Sequence, residues 1–443
     1  MRLWVKNCGR IGGQHAEGPA IRGAGPFASA LAILAVGLVG AHCGAPARAP
    51  TIGEQPVSLT VTTCQAATFT VVAGGTPPLV YAWTKDGAAV TGAAGGTLTI
   101  AAALPSDAGS YQVVVSNREG MAVSAVATLG VGPAGPPSSS PQVVASEGGN
   151  TVVRVGDTLA WASAAGYVDA TSAICPGAIR RIYEGGTQPA GLITDGTSLF
   201  WIDEIPGGSG LFTAAPGGTG GRVLANTAAQ YGGLTVVGPL LVWTDVNRGR
   251  IQTLPITGGN VTSYSTAFSS SQDWPTGITG DGKNYYWADA TSTQPGLIRK
   301  MTPGGAMSTL ASGQGIVSAV ATDGQDVFWV STLGTSSDSS TAVRKVGVSG
   351  GNVVELASLP STNFGGIVLD GGFVYWSALS LSGSQASTGA ISRVPKDGSA
   401  LATVLVSGLG CPGGLFADQE YVYWAESSLG SACVTDRIMR LAK

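Results

Sequence analysis

Histidine is almost missing from this chain of 443 residues. Its two histidines, His15 and His42, both lie within the first 42 residues. Ser-His and Cys-His nucleophile pairs, histidine-ligated zinc and histidine acid–base catalysis all need an imidazole in the folded part of a protein. The rest of the chain lacks one, so we predict a protein that is not an enzyme and that uses no metal or cofactor.

Charged residues are also scarce, at 11% of the chain, with a formal net charge of −3. Without residues 1–43 the chain keeps 19 Lys and Arg against 25 Asp and Glu, a net charge of −6. An acidic surface repels phosphate backbones, so we expect no nucleic-acid partner. Glycine is abundant, with 68 residues, which is typical of an exported all-β protein built on tight turns.

The apolar run near the N-terminus is too short to span a membrane. It covers residues 27–41, FASALAILAVGLVGA, and follows four basic residues, Arg2, Lys6, Arg10 and Arg22. This pattern predicts an export signal over residues 1–43. Two routes stay open: cleavage after Ala41, or lipidation of Cys43. We therefore expect a secreted or surface-held or envelope-anchored monomer, with membrane contact only through a lipid on Cys43.

An apolar-apolar-Trp triplet recurs seven times beyond residue 150. Successive spacings are 40, 42, 44, 42, 47 and 48 residues, and the anchors are Trp161, Trp201, Trp243, Trp287, Trp329, Trp376 and Trp424. Five copies carry an Asp six residues before the Trp: Asp195, Asp281, Asp323, Asp370 and Asp418. Asp-Gly between apolar runs is a strong hairpin signal, so these aspartates are expected to form turns. The acids that follow some of the tryptophans are expected to be hydrogen-bond partners for turns.

Each copy also contains a third strand-like segment, such as GLIRKMT at residues 296–302, and most contain a fourth. Four short strands every 40 to 48 residues predict a β-propeller. The last copy lacks a fourth strand, whereas PQVVAS precedes the first copy. We therefore predict a seven-bladed propeller over residues 142–443, closed by residues 142–146 pairing with the C-terminal strands. The segments around the anchor tryptophans, such as VWTD at residues 242–245, resemble the repeats of the YWTD propellers of low-density-lipoprotein-receptor type proteins.

Residues 51–132 have a different texture. Trp83 and the segment DAGSY, residues 107–111, resemble the buried tryptophan and tyrosine corner of an immunoglobulin-like (I-set-like) domain. That resemblance implies a β-sandwich in which Val71 and Val113 stand where the family usually has its disulfide. Residues 133–141, rich in Pro and Ser, predict a linker that holds the two units apart without fixing their angle. The predicted fold class is thus all-β, a sandwich followed by a propeller.

The cysteines indicate an oxidising destination. Cys411 and Cys433 fall in loops on the same face of the last blade, and a bond between them would contribute roughly 3 kcal/mol. Cys175, in the equivalent loop of the first blade, is the rival partner for Cys411.

The residues that enter each blade's first strand are the candidate ligand-binding set: Gln230, Tyr231, Trp274, Asn363 and Phe364. Aromatic and amide side chains at a concave mouth suit sugars or peptide segments. The chain is therefore predicted to be a surface-associated binding or adhesion protein for a glycan or protein ligand. Three alternatives stay open: the set only plugs the channel, the chain is an envelope hydrolase or lyase with a carboxylate or calcium site, or it is a structural spacer.

Overall fold

The computed structural model describes residues 46–443 except 134–137, 164, 206–207, 228–230, 267–272, 292–295, 334–339, 361, 381–387 and 427–436. These residues form 38 strands and one 3-10 turn, Pro105–Asp107. The predicted all-β class is confirmed. In this part of the chain no helix is long and apolar enough to cross a membrane. The predicted leader, including Cys43, lies outside the described residues.

The immunoglobulin-like unit is a sandwich of ten short strands. They are β1 (Thr51–Glu54), β2 (Leu59–Thr62), β3 (Ala67–Thr70), β4 (Val72–Gly74), β5 (Val80–Lys85), β6 (Ala88–Ala89), β7 (Thr97–Ile100), β8 (Gly109–Asn117), β9 (Gly120–Val123) and β10 (Ala127–Gly132). The largest sheet has the order β2-β10-β8-β5-β6, with β9 also on β8, while β1 pairs with β4 and β3 with β7. Strand β10 runs parallel to β2, and every other pairing is antiparallel.

Two aromatic residues form the centre of this unit, as their spacing predicted. Trp83 is buried, and its indole Nε1 donates to the carbonyl of Gly95 at 3.0 Å. The hydroxyl of Tyr111 donates to the carbonyl of Asp107 at 2.7 Å, which is the hydrogen bond of a tyrosine corner. Val71 and Val113 are buried in the same core. Apolar packing therefore fills the place of the usual disulfide.

The remaining strands form seven four-stranded antiparallel sheets, numbered here from the one that begins with β12. Sheet 1 contains β12 (Thr151–Val155), β13 (Thr158–Ser163), β14 (Tyr167–Ser172) and β15 (Arg180–Tyr183). Sheet 2 contains β16 (Ala190–Thr194), β17 (Leu199–Ile205), β18 (Gly208–Ala214) and β19 (Arg222–Thr227). Sheet 3 contains β20 (Tyr231–Val237), β21 (Leu240–Asp245), β22 (Arg250–Pro255) and β23 (Thr262–Ser265). Sheet 4 contains β24 (Asp273–Gly280), β25 (Tyr285–Thr291), β26 (Leu297–Met301) and β27 (Met307–Ala311).

The last three sheets complete the set. Sheet 5 contains β28 (Ile316–Thr322), β29 (Asp326–Leu333), β30 (Ser340–Gly347) and β31 (Val354–Pro360). Sheet 6 contains β32 (Thr362–Leu369), β33 (Phe373–Ser380), β34 (Thr388–Pro395) and β35 (Thr403–Leu409). Sheet 7 contains β36 (Pro412–Ala417), β37 (Tyr421–Glu426), β38 (Arg437–Ala442) and β11 (Gln142–Ala145).

The seven sheets form a closed, propeller-like ring. The first strand of each of sheets 1 to 6 packs against the first strand of the next sheet, and β36 of sheet 7 packs against β12 of sheet 1. Strand β11, which precedes sheet 1 in the chain, supplies the outer strand of sheet 7. Its register pairs Gln142 with Arg440 and Val143 with Met439. The two ends of the ring-forming segment therefore share one sheet.

The anchor tryptophans lie on the second strand of each sheet and are fully buried: Trp161, Trp201, Trp243, Trp287, Trp329, Trp376 and Trp424. Each hydrophobic core cluster of the ring contains residues of two neighbouring sheets. One of them joins Val237 and Val242 of sheet 3 to Ile278 and Trp287 of sheet 4. A buried aromatic therefore recurs once per sheet because it fills the space between adjacent sheets.

The five repeated aspartates form turns, as predicted. The Oδ1 atom of Asp281, for example, accepts the backbone N–H groups of Lys283 at 2.8 Å and Asn284 at 2.6 Å. The same two bonds recur at Asp195, Asp323, Asp370 and Asp418. Gly282, the next residue, has a φ of 82°, where a side chain would be strained.

The cysteine pairing differs from one expectation. Cys175 is bonded to Cys64 of the immunoglobulin-like unit, so it is not the partner of Cys411. Cys411 is disulfide-bonded to a cysteine outside the described residues, since the other two described cysteines bond each other. Its pairing with Cys433 stays a prediction. The Cys64–Cys175 bond is a covalent link between the two units in addition to the predicted linker.

Candidate binding face of the propeller

The strand register places the predicted ligand-binding positions at one end of the ring. Tyr231 pairs with Asp245, Trp274 with Ala290 and Phe364 with Ala378, so each candidate lies where a first strand begins and a second strand ends. We call this end of the seven first strands the mouth. Asn363 and Phe364 are the second and third residues of β32, and Trp274 is the second residue of β24. Gln230 lies outside the described residues.

Tyr231 is half-buried and forms part of the wall between sheets 2 and 3. It packs against the core that contains Leu234 and Trp243. Its Cε2 atom would be 3.4 Å from a Cβ at Gly191, so the ring lies against the backbone of sheet 2. Burial, then the charges of Asp203 and Glu204, raise the pKa of Tyr231 to about 12. The phenol is therefore neutral near pH 7 and can donate a hydrogen bond.

A set of buried acids lies beside the mouth, each two residues after an anchor tryptophan: Asp203, Asp245, Asp289 and Glu426. Arg299 Nη1 lies 2.8 Å from Asp289 Oδ2, and both side chains are buried. Arg437 Nη2 lies 2.7 Å from Glu426 Oε2, and the indole Nε1 of Trp424 donates to Glu426 Oε1 at 3.3 Å. Asp289 and Glu426 are therefore ion-paired, whereas the sequence predicted hydrogen-bond partners for turns.

Asp245 and Asp203 show the two other ways in which this position is satisfied. Asp245 pairs with Arg248 in the following turn, at 3.1 Å. Asp203 Oδ1 instead accepts the backbone N–H groups of Thr187 and Gln188, at 3.2 and 3.0 Å. Asp203 thereby fixes the loop that leads into β16. These ion pairs could not be read from the sequence because the basic partners lie at different offsets from each acid.

Glycine is required beside Asp203. A Cβ at Gly186 would lie 1.5 Å from Asp203 Oδ2, so only glycine lets the entry loop approach this carboxylate. Burial, followed by the charge of Asp203, raises the pKa of the neighbouring Tyr183 to about 12. The mouth of sheet 2 is thus held by a buried carboxylate in contact with backbone.

The turn aspartates lie at the end of the ring opposite the mouth. From the sequence they were interpreted only as parts of hairpins. A cavity of about 550 Å³ opens there between sheets 6 and 7, lined among others by Asp370, Phe373, Phe416 and Lys443. The hydroxyl of Tyr375 donates to Asp370 Oδ2 at 2.7 Å, and Lys443 donates to the same atom. Asp370 and Lys443, two of the polar residues that line the cavity, are therefore engaged with each other.

No group of three or more His, Cys, Asp or Glu side chains in the described parts of the chain is arranged to hold a metal ion. The buried acids each engage a cation or backbone N–H groups instead.

Comparison with known proteins identifies the first unit. A model of the immunoglobulin domain matches residues 49–117. The fold therefore defines a class: an all-β chain with an immunoglobulin domain followed by a propeller-like unit. No curated protein sequence matches the chain.

Several solved structures are similar to parts of the chain. A nidogen/laminin complex is 17% identical, covers 51% of this chain and 88% of that chain, and has a TM-score of 0.40. The titin M10–obscurin-like 1 Ig complex is 31% identical over 20% of this chain and 99% of that chain, with a TM-score of 0.19. The computationally designed Ika8 protein is 11% identical over 66% of this chain and 96% of that chain, with a TM-score of 0.45.

Proposed function

We propose that this chain is an exported, surface-associated binding or adhesion protein without catalytic activity. It acts as a monomer, and the mouth of a seven-bladed propeller receives a glycan or a peptide segment of a protein ligand. The observation that carries the proposal is the register, which sets Tyr231, Trp274 and Phe364 at the same end of three first strands.

The disulfides support export. Cys64–Cys175 and the bond of Cys411 persist in an oxidising compartment and are rare in a reducing one. Together with the predicted leader over residues 1–43, they favour a protein that works outside the cytoplasm. Lipidation of Cys43 would hold it at the cell surface or envelope.

The chemistry of the mouth supports a neutral ligand. Three of the acids beside it are paired with Arg299, Arg437 or Arg248, and Asp203 accepts backbone N–H groups through Oδ1, while its Oδ2 has no hydrogen-bond partner among the described residues. Aromatic rings and a phenol that can donate a hydrogen bond suit the apolar faces and hydroxyls of sugars, and also peptide groups.

The experiment is a glycan and peptide array probed with the full chain and with Trp274→Ala. We expect the variant to lose most binding and to keep its melting temperature, because an aromatic that stacks on a ligand contributes to affinity more than to folding. Tyr264→Ala, an aromatic change on β23, is the matched control and should bind as the parent does. A melting temperature lowered by several degrees, with unchanged binding, would show that Trp274 only fills the channel.

A further inference from the structure

We propose that the Cys64–Cys175 disulfide is a redox-sensitive latch between the two units. While it is intact, it holds the immunoglobulin-like unit on sheet 1. When it is reduced, the unit is no longer held on sheet 1, and both units stay folded.

Neither hydrophobic core uses this bond. Cys64 lies in the loop between β2 and β3, and Cys175 lies in the loop between β14 and β15. The core of the first unit is built on Phe69, Trp83 and Tyr111, and the strands of that unit pack closely only against one another among the described strands. Loss of the bond therefore removes a connection between units and leaves the cores intact.

The backbone presents Cys64 at a cost. Its φ is 75°, in the left-handed region that non-glycine residues rarely adopt. Two hydrogen bonds hold the turn: the N–H of Cys64 donates to Ala103 at 2.8 Å, and the N–H of Gln65 donates to Thr62 at 3.0 Å. A strained residue that its surroundings hold in place is a reason to look for a role at that residue.

The loop that carries Cys175 is equally well fixed. Asp157 accepts the N–H of Ile174 at 3.0 Å and the hydroxyl of Ser172 at 2.9 Å. The same hydroxyl oxygen accepts the N–H of Cys175 at 2.8 Å. Both sulfur atoms are therefore presented by ordered turns, so the bond fixes the relation of the two units far more closely than a Pro/Ser-rich linker does.

Reagents can reach the bond. Cys64 and Cys175 are half-buried, and Ile174 beside them is exposed. A dithiol reductant attacks one sulfur as its thiolate, forms a mixed disulfide and then closes to its own disulfide. Two electrons and two protons pass to the protein, which is left with two thiols. The step is reversible, as a latch requires.

The first test separates the two tethers. A protease site is placed between Ser139 and Ser140 in the full chain, and the purified protein is cut. We expect the two pieces to run as one band without reductant and as two bands with dithiothreitol. Cys64→Ser should release the pieces without reductant. Pieces of the parent that part under non-reducing conditions would overturn the latch.

The second test measures the motion by small-angle scattering of the uncut chain. The double variant Cys64→Ser, Cys175→Ser leaves Cys411 untouched and should show a larger maximum dimension than the parent, with two melting transitions close to those of the parent. Dithiothreitol should shift the parent towards the variant and leave the variant's dimensions as they are. Unchanged dimensions on opening the bond, or unfolding of the immunoglobulin-like unit, would each overturn the proposal.

Discussion

Lys443 donates a hydrogen bond to the carboxylate of Asp370 in the neighbouring sheet, with an N···O distance of 2.6 Å. Lys396, just after sheet 6's third strand, lies in the same way 3.0 Å from Asp323 of sheet 5. Across the closure of the ring, Arg154 of sheet 1 donates to Asp418 of sheet 7. These aspartates use one oxygen for their own turn and the other for a cation. The turns therefore connect adjacent sheets as well as adjacent strands.

The Asp370 contact predicts a pH dependence. Burial alone raises the pKa of Asp370, but hydrogen bonds from Lys443, Tyr375 and two backbone N–H groups lower it to about 2, from an ordinary 3.8. A lowered pKa in the folded state stabilises the protein above the ordinary pKa, and this stability is lost as the pH falls from about 4 towards 2. Asp370→Asn should thus cost about 2 kcal/mol in urea unfolding at pH 7.

The difference from the parent should shrink at pH 3. Asp397→Asn is the control, since Asp397 also forms a turn but is exposed, and it should change stability little at either pH. An Asp370→Asn loss that is the same at pH 7 and pH 3 would contradict the ionic origin of the stability.

Features that depend on local spacing could be read from the sequence. The anchor tryptophans, the turn aspartates and the hydroxyl bond of Tyr111 all follow from motifs within a few residues. Cys64–Cys175 could not be predicted, because it depends on which loops meet when two units fold. The ion pairs between sheets did have one signal in the sequence. Asp323 and Lys396 are 73 residues apart, as are Asp370 and Lys443, so the same two positions of the repeat pair in both cases.

The candidate site shows the same division. The period of the repeat placed Trp274 and Phe364 at the starts of first strands, where the backbone has them. The contact of Tyr231 with Gly191 could not be predicted, because it depends on how closely two sheets approach. The pairing of Asp289 with Arg299 could not be predicted either, because it depends on how β25 and β26 align. Arg299 lies opposite Trp287, two residues before Asp289.

Closure of the ring by β11 predicts a difference between two truncations. Both begin after Cys64, so both lack the disulfide: one starts at residue 133 and keeps β11, and the other starts at residue 147 and lacks it. Removing β11 exposes the edge of β38 and eliminates the hydrogen bond from Arg440 to Gln142. We expect the shorter protein to melt about 10 °C lower in calorimetry. Equal melting temperatures would show that β11 does not close the ring.

The buried ion pair of sheet 4 predicts a coupled loss. Arg299→Met leaves the carboxylate of Asp289 buried without this cation, and breaking a buried pair from one side costs about 3 to 5 kcal/mol. The double variant with Asp289→Asn should recover part of that loss in urea unfolding. Arg118→Met, at a pair on the exposed surface, is the control and should have little effect. Additive losses in the double variant would mean that the two side chains are not coupled.

The approach of Gly186 to Asp203 predicts that the entry loop of sheet 2 does not tolerate a side chain. Because a Cβ at this position would lie 1.5 Å from Asp203 Oδ2, Gly186→Ala must displace the carboxylate and its hydrogen bonds to Thr187 and Gln188. Forcing extra atoms into a packed site costs about 1 to 3 kcal/mol, which chemical unfolding at pH 7 would measure. Gly217→Ala is the matched control: Gly217 has no atom within 4 Å of the added Cβ, and its loss of chain entropy on folding falls, so stability should hold or rise slightly. If both variants unfold like the parent, Asp203 does not hold the entry loop at the mouth.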